Sequence, residues 1–406
     1  MDNKLKVILI GIGILAIFIS PISGADWLMF QENVEHTGFI QEAGDFVTNL
    51  WIYNIESPIK GSPALKDKIM YIAGENGILK AIDMETGDKK WEYELKGEVV
   101  SSPVISGDYL YIGTKEGYMY SYNIKDKKVS WEYAVTEPIE STATVSEDVI
   151  YFGSDNGKLF ALNNNGEKKW EAALGDEIKS SPTVVNNTLY VGSTGGTIFA
   201  VNTNDGKQVW NYTTGDGVVA SPAYFEDKVY IGSLDGNIYS LNATNGQLVW
   251  KYDLGDKIFS SALLDTRNYN LFIGSDSGNL SSLDLRDGTF KWGYKTSGEI
   301  RSTPALYDNY VVFGSNDGTG YVLNKYTGNS ELTYNPGVYL FNSAISSSPV
   351  VYGQSLFFSG EDGYVYSLDG EKLDTPASTF MYYTAVILII ALAIIIALIT
   401  IVRRRK

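Results

Sequence analysis

The chain has 406 residues, with 48 Asp and Glu against 32 Lys and Arg, a single His and no Cys, for a formal net charge of −16. The lack of Cys excludes a disulfide framework, thiolate chemistry and C-x-x-C-H haem attachment. One His (His36) with no Cys cannot supply a zinc site, and the acidic balance argues against nucleic acid and against an anionic membrane face as partners.

Residues 1–25 read as a secretory signal peptide. Lys4 and Lys6 precede an apolar run at 7–19, and Ser23, Gly24 and Ala25 form a small-residue cleavage site before Asp26.

Residues 26–370 carry one repeated unit. Its cleanest copy spans 219–252, and the sequence predicts strands at 219–225, 228–232, 237–241 and 247–252. Glu226-Asp227, Asp235-Gly236 and Asn245-Gly246 supply the turns, since Gly takes positive φ without steric cost. Trp51, Trp91, Trp131, Trp170, Trp210, Trp250 and Trp292 recur at spacings of 40, 40, 39, 40, 40 and 42 residues, and Leu332 stands where the next Trp is due. A small-Ser/Thr-Pro/Ala signature occurs eight times, from Gly61-Ser62-Pro63 to Ser347-Ser348-Pro349. Four strands per unit at this period predict an all-β fold, an eight-bladed β-propeller of four-stranded antiparallel blades. The first fourth-strand motif, LWIY at 50–53, precedes any first strand, and the last unit stops at 368–370 before a fourth strand. The N-terminal strand is therefore expected to complete the last blade and close the ring. The seventh blade, with Leu332 and an insert at 333–344, is expected to be the least regular.

Residues 371–379 form a short linker. The uncharged apolar run 380–402 is long enough for a transmembrane helix, and the basic tail 403–406 is expected in the cytoplasm. This places the propeller on the extracytoplasmic side of a single-pass membrane protein. Sequons at Asn186, Asn211, Asn242 and Asn279 are candidate glycosylation positions there.

The segments LKAIDMETGDKKW (79–91), IFAVNTNDGKQVW (198–210) and IYSLNATNGQLVW (238–250) resemble the repeat of pyrroloquinoline-quinone enzymes and of their non-enzymatic relatives of the outer-membrane assembly lipoprotein type. Asp26-Trp27, Phe30, Asn33 and His36-Thr37-Gly38 are similar to that family's lead-in. The resemblance implies that each Trp docks between adjacent blades. It departs from the pattern at Lys127, which replaces a Gly, at a one-residue deletion near 163–166, and at Leu332. The enzymes of the family bind the quinone and Ca²⁺ over the channel, and many carry adjacent Cys residues there; this chain has none and its turns are short. No nucleophile motif and no full Ca²⁺ loop occurs.

One column of residues varies. Two positions before each Ser/Thr of the first-strand signature stand Lys60, Val100, Glu140, Lys179, Val219, Phe259, Arg301 and Ser346. Alternation places them on the same face as the Ser/Thr ring, toward the channel. Lys60, Glu140, Lys179 and Arg301 are thus expected near one mouth, as a mutually neutralising set or as a site for a polar or anionic ligand. The sequence favours a non-catalytic scaffold, without cofactor, for membrane or envelope proteins. The alternatives are a quinone-dependent oxidoreductase and a saccharide or small-ligand binding protein using rim aromatics.

Overall fold

A computed structural model describes residues 51–335, 343–353 and 355–369. The expected signal peptide, the lead-in with His36, residues 336–342 of the insert, and the expected linker, transmembrane helix and cytoplasmic tail lie outside the described residues. Among the described residues no helix is long and apolar enough to cross a membrane.

The described residues form eight four-stranded antiparallel sheets. Blade 5 is built from Ala223–Phe225, Lys228–Gly232, Asn237–Asn242 and Leu248–Asp253. Glu226 and Asp227 turn the first corner at φ 46° and 55°, the left-handed pair that a two-residue hairpin with right-handed strand twist requires. The first strand is shorter than the sequence predicts. It begins at Ala223, after Pro222, because Pro has no N–H for the ladder. The preceding residues 219–222 run toward the neighbouring blade instead.

Those residues close the molecule. The backbone N–H of Ser62 donates to Ser102 Oγ at 2.9 Å, Ser102 to Thr142 at 3.0 Å, Thr142 to Ser181 at 3.2 Å and Ser181 to Ser221 at 3.0 Å. Ser221 continues to Ser261 at 2.8 Å, Ser261 to Thr303 at 3.2 Å, Thr303 to Ser348 at 3.1 Å and Ser348 back to Ser62 at 3.0 Å. The hydroxyls that the sequence aims at the channel are thus spent between blades. Buried backbone donors need partners, and this ring supplies eight of them.

The last blade is a composite. Val350–Tyr352, Ser355–Ser359 and Tyr364–Asp369 come from the end of the repeat region. Ile52–Asn54 pairs antiparallel with the last of them, Asn54 opposite Tyr364. Ile55, which follows this strand, is fully buried in the shared core. In blade 7 the third and fourth strands, Gly320–Asn324 and Ser330–Tyr334, have five residues where blade 5 has six. Leu332 packs against the core at that seam.

Each Trp lies in a row across its own blade. In blade 5 the row is Ala223, Tyr230, Ser240, Trp250. The small third residue lets the rings of Tyr230 and Trp250 meet, 5.8 Å apart. Tyr71, Tyr111, Tyr151 and Tyr190 meet Trp91, Trp131, Trp170 and Trp210 in the same way. The Trp then reaches the next blade. Nε1 of Trp51, Trp131, Trp170, Trp210, Trp250 and Trp292 donates to the carbonyls of Met84, Asn164, Thr203, Ala243, Leu285 and Lys325, at 2.8–3.3 Å. Trp91 stacks on Tyr122 of the next blade at 5.1 Å.

The turn glycine four residues before each Trp serves the other side. A Cβ on Gly246 would lie 2.6 Å from the ring of Trp210, not of Trp250, and φ there is +73°. Gly and Trp of one motif therefore face two different blade interfaces. At the corresponding position facing Trp91 stands Lys127, held at φ 53° despite its side chain.

Candidate functional site

Antiparallel connectivity puts the turns between second and third strands, and the links between blades, on one face of the ring. The channel mouth on that face carries the variable column. Lys60, Glu140, Lys179 and Arg301 each have an opposite charge beside them.

They form two groups. Lys179 Nζ lies 2.9 Å from Glu140, 3.4 Å from Asp155 and 3.7 Å from Glu177. Lys60 Nζ lies 2.5 Å from Glu361, whose Oε1 also accepts the Ser346 hydroxyl at 2.8 Å. Arg301 forms two 2.9 Å hydrogen bonds to Asp276 and sits 4.4 Å above the Phe259 ring. The structure joins Glu140 to Lys179 directly. Lys60 and Arg301 are linked through the field of Glu361.

The carboxylate partners Asp155, Asp276 and Glu361 escaped the sequence reading. They occupy the second position of the tight turn between second and third strands, as in Ser154-Asp155-Asn156-Gly157. The only signal is position: every backbone N–H there anchors to the link entering a blade, for example Asp155 to Pro138 at 2.9 Å and Glu361 to Ala344 at 2.9 Å.

Burial raises the Asp155 carboxyl and nearby Glu140 adds to this, while Lys179 only partly offsets it. Burial would also raise Glu361. The hydrogen bonds from Lys60 and Ser346, and the charges of Lys60 and Arg301, outweigh that and hold it below the usual carboxylate range. A depressed carboxylate contributes stability that is complete above its unfolded pKa and is lost as pH falls through the folded value. Glu361→Gln should therefore lower stability at neutral pH and flatten the acid limb below about pH 4. Urea midpoints from pH 7 to pH 3 check this; an unchanged slope would show that Glu361 carries no such linkage.

The rim is divided differently. In the outer strands of blades 1 and 3 the two residues just before Trp are exposed lysines, Lys89 and Lys90, Lys168 and Lys169, and in blade 2 exposed Lys128 stands three residues before Trp131. In blades 4–6 the same stretch presents Val209, Leu248, Val249 and Phe290, each about half exposed. Lys on an exposed edge strand blocks strand addition. The edge of blades 4–6 carries exposed Lys207, Lys251 and Lys291 as well, but sets these apolar residues beside them. Of the sequons, Asn186 and Asn211 are exposed, whereas Asn242 and Asn279 are half-buried. The Asn242 side chain caps its own turn through Thr244 and Asn245. Among the described residues no cluster of three or more His, Asp or Glu is arranged to hold a metal.

The structure is similar to three solved structures that fix the fold alone. A computationally designed protein, Ika8, has TM-score 0.70 and 17% identity, over 78% of this chain and 97% of that one. BamB from Moraxella catarrhalis has TM-score 0.68 and 18% identity, over 80% and 100%. Quinohemoprotein alcohol dehydrogenase from Comamonas testosteroni has TM-score 0.72 and 15% identity, over 84% and 80%. Comparison with curated proteins gives no match. The family model of the β-propeller of the beta-alanine-activating enzyme matches residues 66–370. The chain therefore belongs to that β-propeller family, which is related to the quinone-enzyme type of repeat.

Proposed function

We propose that this protein is a membrane-tethered, extracytoplasmic scaffold that binds another envelope protein without catalysing a reaction. The observation that carries the reading is the split rim. Three successive outer strands, Gln208–Thr213, Leu248–Asp253 and Phe290–Lys295, pair inside their blades on one side only. Their exposed residues Val209, Leu248, Val249 and Phe290 make an apolar arc where blades 1 and 3 carry paired lysines. An open edge of this kind accepts a partner's strand, with backbone hydrogen bonds for affinity and apolar side chains for specificity. The tether rests on the apolar run 380–402 and the basic tail. The ion-paired mouth fits the same reading, because each of its cations already has a carboxylate beside it.

A photo-crosslinker at Val249 in the native membrane should capture a discrete envelope protein. The double variant Leu248→Lys, Val249→Lys, probed from Val209, should lose that capture with its melting temperature unchanged. Equal capture from position 169, on the lysine side, would sink the proposal. The quinone-dependent alternative predicts sustained dye reduction with alcohols or aldoses once quinone and Ca²⁺ are added; none is expected.

A further inference from the structure

The one-residue deletion in blade 3 uncovers one blade interface. In blades 4–7 the turn between third and fourth strands closes over four residues, as Gly206 N–H to Asn202 O at 2.9 Å and Gly246 to Asn242 at 2.8 Å. In blade 3 it closes over three, Gly166 to Asn163 at 3.0 Å. The residue that covers the neighbouring Trp is affected directly. In other blades this residue is buried: Met84, Ile124, Thr203, Ala243, Leu285 or Lys325. Its N–H is also pinned to the blade's first turn, as Ala243 to Asp227 at 2.9 Å and Ile124 to Asp108 at 3.0 Å. In blade 3 the covering residue is Asn164. It still accepts the Trp131 N–H at 2.9 Å, but it is exposed and makes no such bond to Asp148.

The result is a cavity of about 630 Å³ between blades 2 and 3, on the face opposite the ion-paired mouth. That volume lies in the range of small-molecule sites, ~300–1,000 Å³. Tyr109 and Trp131 supply the aromatic part of its wall, and Asp108, Asp148, Asn164 and Asn165 the polar part. Tyr109 is 38% exposed although it sits in a strand. The residues at its place in the other blades are Ile69, Val149, Thr188, Lys228, Asn270, Tyr310 and Ser355, so an aromatic recurs there only in blade 7.

We propose that this cavity binds a neutral pyranose saccharide. An aromatic ring presents an electron-rich face, which suits the C–H-bearing face of a sugar ring. Carboxylate and amide groups beside it match vicinal hydroxyls, Asp accepting and Asn both donating and accepting. Asp108 is engaged by Lys125 at 2.8 Å and the Asn165 Oδ1 accepts the Glu167 N–H at 3.2 Å, which leaves Asp148, the Asn164 side chain and the Asn165 amide N–H groups to orient the ligand. Two carboxylates at the cavity, on a strongly acidic chain, disfavour sulfated, phosphorylated or sialylated sugars. This inference is independent of the apolar rim, which lies on other blades.

The test uses the full chain in a detergent without a sugar headgroup. Maltose, cellobiose and N,N′-diacetylchitobiose serve as neutral probes, with sialyllactose and glucose 1-phosphate as anionic ones. Saturation-transfer NMR and tryptophan fluorescence report binding. At least one neutral disaccharide should bind, Tyr109→Ala should weaken it about 10-fold or more, and one Thr inserted after Asn164 should abolish it. The insertion restores the turn length of the other blades, so the melting temperature should hold or rise. The proposal is overturned if no neutral probe binds, if only the anionic probes bind, or if both variants bind like the parent.

Discussion

Trp210→Ala is expected to destabilise the propeller by about 3–5 kcal/mol, the range for removing a buried aromatic from a packed core. The side chain is 8% exposed and stands between two blades. Its Nε1 and the Tyr190 hydroxyl donate to the same carbonyl, that of Ala243 in the next blade, at 2.8 and 3.1 Å. Gly246 has no Cβ, and so admits the Trp210 ring against its backbone. Removing the indole therefore deletes packing, strips a buried carbonyl of one donor and leaves a void that glycine cannot fill. Trp131→Ala should cost less, because its docking hydrogen bond is already exposed to solvent. Urea denaturation of the pair checks both the size and the order. Equal costs, or a cost below about 1 kcal/mol for Trp210→Ala, would mean that docking does not hold the blades together.

A disulfide between positions 54 and 364 is expected to stabilise the domain by several kcal/mol. Asn54 and Tyr364 face each other across the strand pair that, among the described residues, joins the two ends of the repeat region. Directly opposed residues in an antiparallel pair have Cα atoms about 4.5–5.5 Å apart, inside the span of a disulfide. The closed loop would hold nearly the whole propeller. Chain-entropy reasoning puts its effect on the unfolded state at or above the roughly 5 kcal/mol of a 100-residue loop, with about 2–4 kcal/mol typical in practice. Because the natural chain has no Cys, Asn54→Cys with Tyr364→Cys creates a single unambiguous bond. Melting with and without reductant reads the difference. Identical midpoints would overturn this, showing that strain at the seam offsets whatever the crosslink removes from the unfolded chain.

What the sequence displays is what the ring repeats. Trp210 and Trp250 recur because seven of the eight interfaces seat a large ring of this kind, with Leu332 in its place at the eighth. The offset between the motif at 50–53 and the truncated unit at 368–370 foretells the composite blade, because an open edge would otherwise remain. The Ser/Thr column is equally visible, but its use is not. Alternation alone turns Ser221 toward the channel, whereas Pro222 stops the ladder and the hydroxyl is captured by the N–H of Ser181. The mouth is half legible for a different reason. Lys60 and Arg301 stand out as charges in a column, yet their partners Glu361 and Asp276 belong to neighbouring blades and to a turn position with no preferred residue. Pairing across blades leaves no local spacing to read. The deletion at 163–166 is plain in the sequence as a broken period, but only the loss of cover over Trp131 gives it a consequence.

The eight hydroxyl bonds at the hub all run in one sense around the axis, and each uses one donor and one acceptor from successive repeats. A gain or loss of one repeat would not be absorbed at the seam alone. It would alter the rotation between every pair of neighbours and with it every hub distance at once. Internal duplication, the ordinary way in which such arrays grow, is therefore resisted collectively. Opening the chain at a different place is not, since every hub contact is equivalent. A circular permutant starting at any hairpin should regain the same eightfold hub, provided that its new ends meet within one blade.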